Sequence, residues 1–249
     1  MNRLLPPPVP ESQLPAAVDW AIVSRRAIRA FLPTPVPRAL LLEILDVARH
    51  SASGVNMQPW QVHVLTGAAQ QRLSAAILRA HDDPATLAGL QEPYPYYPAH
   101  WVSPFLERRR QLGWQLYGLL GITRDDKARM HAQHARNYRF FDAPAGLIFT
   151  VHAALAQGSL IDYGMFLQSL MVAARARGLD TCPQVAFTPF HHIVAQQLGL
   201  PDTQRLVCGM SLGYADPSRP ENALVSPREP VAGFTHFHDD EGSGPVPLP

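Results

Sequence analysis

The sequence lacks the features that mark several common classes of protein. It contains only two cysteines, Cys182 and Cys208, so a scaffold held by disulfides is not implied. Its formal net charge is +1, which gives no electrostatic reason to expect nucleic acid or an anionic membrane as a partner. One long apolar run without charged residues, residues 143–161, is interrupted by proline, histidine and glutamine, which favours a core segment over a membrane span. Prolines occur too early for a signal peptide, so a cytoplasmic protein is expected.

Motifs that indicate a nucleotide-binding site or a metalloprotease are also missing. There is no G-x-G-x-x-G, no G-x-x-x-x-G-K-[ST] and no H-E-x-x-H. Lys127 is the only lysine, so any anion site must use arginine side chains or backbone N–H groups. Two histidine pairs, His191 with His192 and His236 with His238, lack the spacing of known metal sites, and no metal is expected.

The pattern of apolar residues predicts an α+β protein with helices packed around one sheet. The main predicted helices span residues 37–48, 68–80, 103–120, 159–177 and 188–198, and the predicted strands span 60–66, 145–152 and 205–214. Residues 1–15 are expected to form a proline-rich arm, residues 16–229 the main domain and residues 230–249 an extended tail. The long loop over 82–104 alternates prolines with aromatic residues and is typical of a lid or binding loop.

Two short segments carry residues suited to an anionic ligand. Three arginines fall within Arg25–Arg29, and each guanidinium can offer two parallel N–H donors to a phosphate. They either stay solvated, as most charge runs do, or converge on a multivalent anion. Further along the chain, Ser53, Gly54 and Asn56 combine close backbone approach with small polar side chains, although an ordinary helix-to-strand connection has the same composition.

Taken in order, these segments resemble the FMN-dependent nitroreductase family. The matching blocks are residues 25–31, 35–37, 53–60, 137–144, 163–171, 178–184, 209–216 and 222–228. The resemblance spans roughly residues 17–235 and looks closest to the branch acting on nitrobenzoates and nitrobenzenes. One position departs from the family pattern: Ala27 stands where the family commonly has serine in its Arg-x-Ser motif, so one hydroxyl contact is missing.

The resemblance implies an α+β fold with a central, mostly antiparallel sheet flanked by helices, in an intertwined homodimer. It implies that FMN lies between two subunits, with arginines at the phosphate and ribityl chain and the loop of Ser53 supplied by the other subunit. The implied cofactor-binding residues are Arg25, Arg26, Ala27, Arg29, Ser53, Gly54, Asn56, Gln168, Pro183, Gln184, Gly209 and Arg228.

The same resemblance implies that NAD(P)H and FMN together reduce a nitroaromatic compound to a hydroxylamino product by ping-pong hydride transfer. Because the flavin N5 carries the chemistry, no catalytic side chain is expected. The expected substrate slot uses Tyr94, Tyr96, Tyr97, Trp101, Trp114 and Tyr117. For Trp114 and Tyr117, simple core packing is an equal alternative.

Other activities on the same scaffold remain open from the sequence. They are quinone or enone reduction, reductive dehalogenation and a flavin-consuming synthase reaction, and a non-catalytic flavin-binding module is a further alternative. The sequence does not decide the physiological acceptor, the preference between NADH and NADPH, or the reaction with oxygen.

Overall fold

A computed structural model of the protein describes residues 10–239 and 242–245; the first part of the predicted arm, residues 1–9, and tail residues 240–241 and 246–249 lie outside the described residues. The helices are α1 (Leu14–Ser24), α2 (Arg38–Ala48), α3 (Gly67–His81), α4 (Pro84–Ala88), α5 (Phe105–Leu119), α6 (Lys127–Ala135), α7 (Ser159–Ala176) and α8 (His191–Leu198). The strands are β1 (Gln61–Thr66), β2 (Ala145–His152), β3 (Asp180–Gln184), β4 (Gln204–Gly213), β5 (His236–Asp239) and β6 (Gly242–Pro245). Short 3₁₀ helices span Glu11–Gln13, Gly54–Asn56, Arg136–Asp142, Val185–Phe190, Pro220–Ala223 and Val231–Gly233.

Four strands form one antiparallel sheet in the order β1-β2-β4-β3. β2 and β4 occupy the centre, and a register shift between Phe149 and Thr150 marks a bulge in their pairing. Every residue of β2 except the last is buried, because helices cover both faces of the sheet, and this explains the nearly continuous apolar sequence of the strand. The expected α+β architecture with a central antiparallel sheet is confirmed.

The two faces of the sheet are covered by different helices. On one face, a core that includes Ile44 of α2 and Leu170 of α7 packs against β2 and β4. On the other face, a core that includes Ile77 of α3 and Val194 of α8 packs against the sheet together with Phe187. Burial of these apolar side chains is the main stabilising contribution to the fold. The β3 edge of the sheet carries the candidate site.

Hydrophobic periodicity locates most elements but does not reveal β3. The strand predicted over 145–152 is observed with those bounds, and the strand predicted over 205–214 lies within one residue of β4. β3 is a five-residue edge strand that contains Pro183, and a proline without an N–H is tolerated at a sheet edge. The sequence signal there is that of a turn, so the strand exists only because the β4 edge pairs with it.

Two other segments are more ordered than the sequence indicates. The predicted loop over 82–104 contains α4, whose first turn is capped by the Asp83 carboxylate accepting from the N–H groups of Ala85 and Thr86. In the tail, β5 and β6 pair with each other in antiparallel orientation. Among the described residues, no helix has the length and apolar character needed to cross a membrane.

Candidate functional site

The arginine cluster lies on an extended segment directly after α1. Arg25 ends that helix with extended backbone angles, and the Ile28 N–H donates to Thr181 O of β3 at 3.1 Å. The segment then reaches the end of β4, where the Leu32 N–H donates to Tyr214 O at 2.8 Å. The arginines are therefore presented from the edge of the sheet, because β3 and the end of β4 supply hydrogen-bond partners for the backbone that carries them.

Arg25 has a buried side-chain nitrogen without a partner. Its Nε is shielded from solvent and makes no hydrogen bond among the described residues. Burial lowers the pKa of Arg25, and the nearby charge of Arg228 lowers it further. The charges of Arg29 and Arg25 act to lower the pKa of the buried Cys182 thiol. Burial outweighs them and raises that pKa to about 11. Arg228 thus lies near the unsatisfied donor of Arg25, and Arg29 lies near the same Cys182 thiol, an arrangement that a phosphate would complete.

The C-terminal segment organises the approach to this cluster. Asn222 is buried, and its Oδ1 accepts from the Arg29 N–H at 2.8 Å while its Nδ2 donates to Ala30 O at 2.8 Å. The Arg29 side chain folds back so that Nη1 donates to Ala27 O at 3.2 Å. Arg228 is exposed and donates to Ser226 Oγ at 2.7 Å. The free N–H groups of these guanidiniums remain available for a ligand.

Arg26 lies near a different set of charged residues, which includes Asp180 and Arg175. It lies near Asp180 at the start of β3, and Asp180 also pairs with Arg175 Nη1 at 3.2 Å. Burial raises the pKa of Asp180, while the charges of Arg175 and Arg26 act against that rise. Arg175 in turn donates to Ser24 Oγ at 2.9 Å and lies 4.9 Å from the Trp20 ring centroid. Arg26 therefore has a carboxylate neighbour, and its contact with FMN stays a prediction.

The loop of Ser53 has a backbone conformation unusual for its residue types. Val55, Asn56 and Gln58 have positive φ angles of 45°, 60° and 51°. For a β-branched residue such as Val55 this conformation is a true outlier, and such strain is typical of functional sites. The loop is fixed by the Gly54 N–H donating to Asp162 Oδ1 at 3.2 Å and by the Gln58 N–H donating to Ser53 Oγ at 3.0 Å.

Within one chain, the implied cofactor residues fall into two separate groups. Among the described residues, no hydrogen bond, ion pair or ring contact joins the Ser53 loop to the arginine cluster. The loop lies against α7, which also carries the exposed Gln168, whereas the arginines lie at the β3 edge beside the exposed Pro183. The two groups of implied cofactor residues are therefore not in contact within one chain, as far as the described residues show.

The side chain of Gln184 is held in the interior of the protein by hydrogen bonds. It is buried, its Nε2 donates to Asn137 O at 2.7 Å, and its Oε1 accepts from Ser211 Oγ at 2.7 Å. These bonds tie the end of β3 to β4 and to the 3₁₀ segment that begins at Arg136. Only the backbone of Gln184 is left for the cofactor contact that the sequence predicts.

Ser211 also belongs to a motif match that the sequence reasoning missed. Gly209–Gly213 has the spacing G-x-S-x-G of a hydrolase nucleophile elbow. The structure excludes that role, because Ser211 is fully buried in the middle of β4 and donates to a glutamine, whereas an elbow exposes its serine at a strand-to-helix turn.

Gly209 has a packing reason to be glycine. A Cβ at this position would lie 2.5 Å from the nearest carbon of the Phe187 ring. Replacing Gly209 with alanine should lower the free energy of unfolding by about 1–3 kcal/mol, because the buried ring must shift. Urea unfolding followed by circular dichroism measures the change. Gly118→Ala on α5, where a Cβ meets nothing within 4 Å, is the matched control, and equal stability of the two variants would contradict the packing argument.

Tyr94 in the predicted lid is anchored to the sheet. Its hydroxyl donates to Val207 O, and burial raises its pKa above the ordinary value. β3 pairs with β4 only from Gly209 onward, so Val207 lies on an unpaired part of that edge. Tyr94 therefore covers an open strand edge, and a role in a substrate slot stays a prediction.

The other aromatic residues of the lid are largely accessible. Tyr96 and Tyr97 are exposed and pack edge to face, and the Arg109 guanidinium lies 4.9 Å from the Trp101 ring centroid. Trp114 is 55% exposed on α5, so it does not belong to the core of this chain.

Three helices leave large apolar side chains uncovered. α5 has no buried residue, and α1 has one. The exposed apolar residues of these helices and of α7 are Val18, Trp20, Ile22, Val23, Phe105, Trp114, Leu119, Ile161 and Met165. Exposed apolar side chains mark an interaction surface where they form one contiguous patch.

Comparison with known proteins gives a consistent result. A model described as "Nitroreductase family" matches residues 22–214. The chain is 48% identical to a 4-nitrobenzoate reductase of Pseudomonas putida over 219 residues, covering 88% of this chain and 94% of the relative. It is 42% identical to a nitrobenzene nitroreductase of Ectopseudomonas oleovorans, covering 88% and 96%. The structure of the FMN-dependent nitroreductase NfnB from Mycobacterium smegmatis in complex with NADPH superposes with a TM-score of 0.85 at 32% identity, covering 91% of this chain and 100% of that one.

Proposed function

The chain belongs to the nitroreductase family, and we propose that it is a homodimeric, FMN-dependent enzyme that uses NAD(P)H to reduce nitroaromatic compounds to hydroxylamino products. The observation that carries the proposal is the buried, unpaired Nε of Arg25 beside Arg228, within a family-matched segment. Relatives named for nitrobenzoate and nitrobenzene support the substrate class. A cytoplasmic location stays a prediction.

The residues present fit a bound FMN. Arg25, Arg29 and Arg228 would hold the phosphate through charge-assisted hydrogen bonds, and the unsatisfied Nε of Arg25 would gain a partner. When bound, the flavin supplies hydride transfer between the nicotinamide and the nitro group at its N5. The protein supplies binding and orientation, which agrees with the lack of any acid–base pair among the implied site residues.

Two independent features of the chain support the proposed homodimer. The strained Ser53 loop and the arginine cluster are separate within one chain, so a partner subunit would bring its loop to the arginines of the first. The uncovered apolar faces of α1, α5 and α7 would supply the interface. The tail would add to it, since each extended residue spans up to ~3.3 Å.

Removing the tail should weaken both dimerisation and FMN retention. A chain ending at Glu229 keeps the ion pair between Glu229 and Arg108 and all the implied site residues. Size-exclusion chromatography with absorbance at the protein and flavin bands measures both properties. A truncated protein that stays dimeric and fully flavinated would refute the role of the tail.

Steady-state kinetics test the proposed reaction. With NADPH and 4-nitrobenzoate or nitrobenzene, double-reciprocal plots at several acceptor concentrations should be parallel, because donor and acceptor would use one slot in turn. Intersecting lines would mean a ternary complex and a separate nicotinamide pocket. Quinones and halophenols tested in parallel distinguish the related activities.

The purified protein should release FMN on denaturation, and a colourless protein that FMN cannot reconstitute would overturn the proposal.

A further inference from the structure

A cluster of histidines and one aspartate joins the end of α3 to α6, and the function above makes no use of it. His81 is the last residue of α3, Asp82 follows it, and His131 lies on α6. One ring nitrogen of His81, one ring nitrogen of His131 and an Asp82 carboxylate oxygen all lie within 4.8 Å of one another. Asp82 Oδ1 is 2.8 Å from His131 Nε2 and 3.5 Å from His81 Nδ1.

The His81 side chain is buried with one nitrogen unsatisfied. Only 5% of the residue is exposed, and its Nδ1 has no hydrogen-bond partner among the described residues. The other nitrogen, Nε2, lies 3.2 Å from His134 Nδ1. When His81 Nε2 carries the proton for that bond, Nδ1 presents a lone pair toward Asp82. In that tautomer, a cation between Nδ1 and the Asp82 carboxylate would satisfy both groups.

We propose that His81, Asp82 and His131 bind one divalent transition-metal ion of the zinc type. Two imidazole nitrogens and a carboxylate oxygen are the donors that Zn²⁺ and its neighbours prefer, and a three-ligand set leaves a position for water. The exposed side of the site is formed by Asp82 and His131, which gives the ion a path of entry. His134 hydrogen-bonds the other ring nitrogen of His81 and would fix the orientation of that buried ligand.

Two structural features of the site determine how a metal ion would bind there. The His81 and His131 rings are stacked with centroids 4.1 Å apart, so their lone pairs converge only after the half-exposed His131 ring turns. The cluster also lies at the C-terminal end of α3, where the helix dipole favours a cation. A bound ion would therefore link α6 to the end of α3, at the start of the predicted lid over residues 82–104.

Zinc binding to the full-length purified protein tests the site. After dialysis against EDTA, isothermal titration with Zn²⁺ should show one equivalent bound, and saturating Zn²⁺ should raise Tm by several degrees. Co²⁺ should give the visible absorption of a low-coordinate site. His131→Ala and Asp82→Asn change exposed side chains, and each should weaken binding by at least about 10- to 100-fold, the loss that follows removal of a group that only hydrogen-bonds a ligand.

Two control variants separate this cluster from other histidines. His192→Ala and the double variant His236→Ala, His238→Ala remove the pairs that stand out in the sequence and should leave Zn²⁺ affinity unchanged. The proposal is overturned if the wild type binds no stoichiometric Zn²⁺. It is equally overturned if His131→Ala and Asp82→Asn bind as tightly as the wild type, or if the control variants account for the binding.

Discussion

Replacing Arg25 with alanine should weaken FMN binding by about 10- to 100-fold. Removing one partner of a desolvated charge pair costs roughly 3–5 kcal/mol, and the expected loss lies at or below the low end because Arg25 is only half-buried and shares the phosphate with Arg29 and Arg228. At about 1.4 kcal/mol per decade, that corresponds to one or two decades in Kd. Titration of the apoprotein with FMN, followed by quenching of flavin fluorescence, measures the change.

The Arg25 variant also distinguishes a phosphate contact from a contact with the reacting groups. Saturating FMN should restore much of the lost rate, since the substitution acts on cofactor retention. Arg49→Ala is a matched control, because Arg49 is an exposed arginine that forms an ion pair with Asp46. If Arg25→Ala binds FMN normally and still turns over slowly, Arg25 contacts the substrate or the flavin ring, and its assignment to the phosphate is wrong.

Replacing Glu221 with alanine should lower the free energy of unfolding by about 3 kcal/mol. Glu221 is fully buried and pairs with Arg136 and Arg219, and the Arg136 side chain is only 14% exposed. Its removal leaves Arg136 with the weaker Asp142 pair at 3.3 Å, and uncompensated buried charge is strongly destabilising. The low end of the usual range applies because Asp142 remains. Chemical unfolding at neutral pH measures the loss.

The stabilisation by Glu221 should also depend on pH. Burial acts to raise the pKa of this carboxyl, but hydrogen bonds from its own backbone, Arg219 and Arg136 outweigh it and hold the pKa below the ordinary 4.5. A depressed pKa in the folded state means that the contribution is complete above about pH 4.5 and is lost as pH falls through the folded-state value. The stability difference between wild type and Glu221→Gln should therefore shrink in acid.

Asp46→Ala serves as the control for Glu221, because Asp46 makes an exposed ion pair with Arg49 and should contribute little to stability. Equal losses of stability in Glu221→Ala and Asp46→Ala would show that the buried network does not support the fold. A Glu221 variant whose stability deficit is constant down to acid pH would contradict the depressed pKa.

An element can be predicted from the sequence when its own residues carry the pattern that forms it. β2 was predicted with its observed bounds, because a strand buried on both faces must be apolar at nearly every position. β3 could not be predicted, since its Pro183 and short length suit a turn and only pairing with β4 makes it a strand. The family resemblance rests on motif order and spacing, which are properties of the sequence, and the family model that matches residues 22–214 confirms it.

By itself the sequence determined the α+β class, the family and the need for arginine at any anion site, because periodicity, motif spacing and composition are carried by neighbouring residues. Only the tertiary structure decided that the Arg25 Nε is buried without a partner among the described residues, and that Arg26 has Asp180 as a neighbour. It also decided that the Gln184 side chain is held inside and that His81 meets His131. These outcomes depend on contacts between residues distant in sequence, and no local pattern encodes which distant partners folding will bring together.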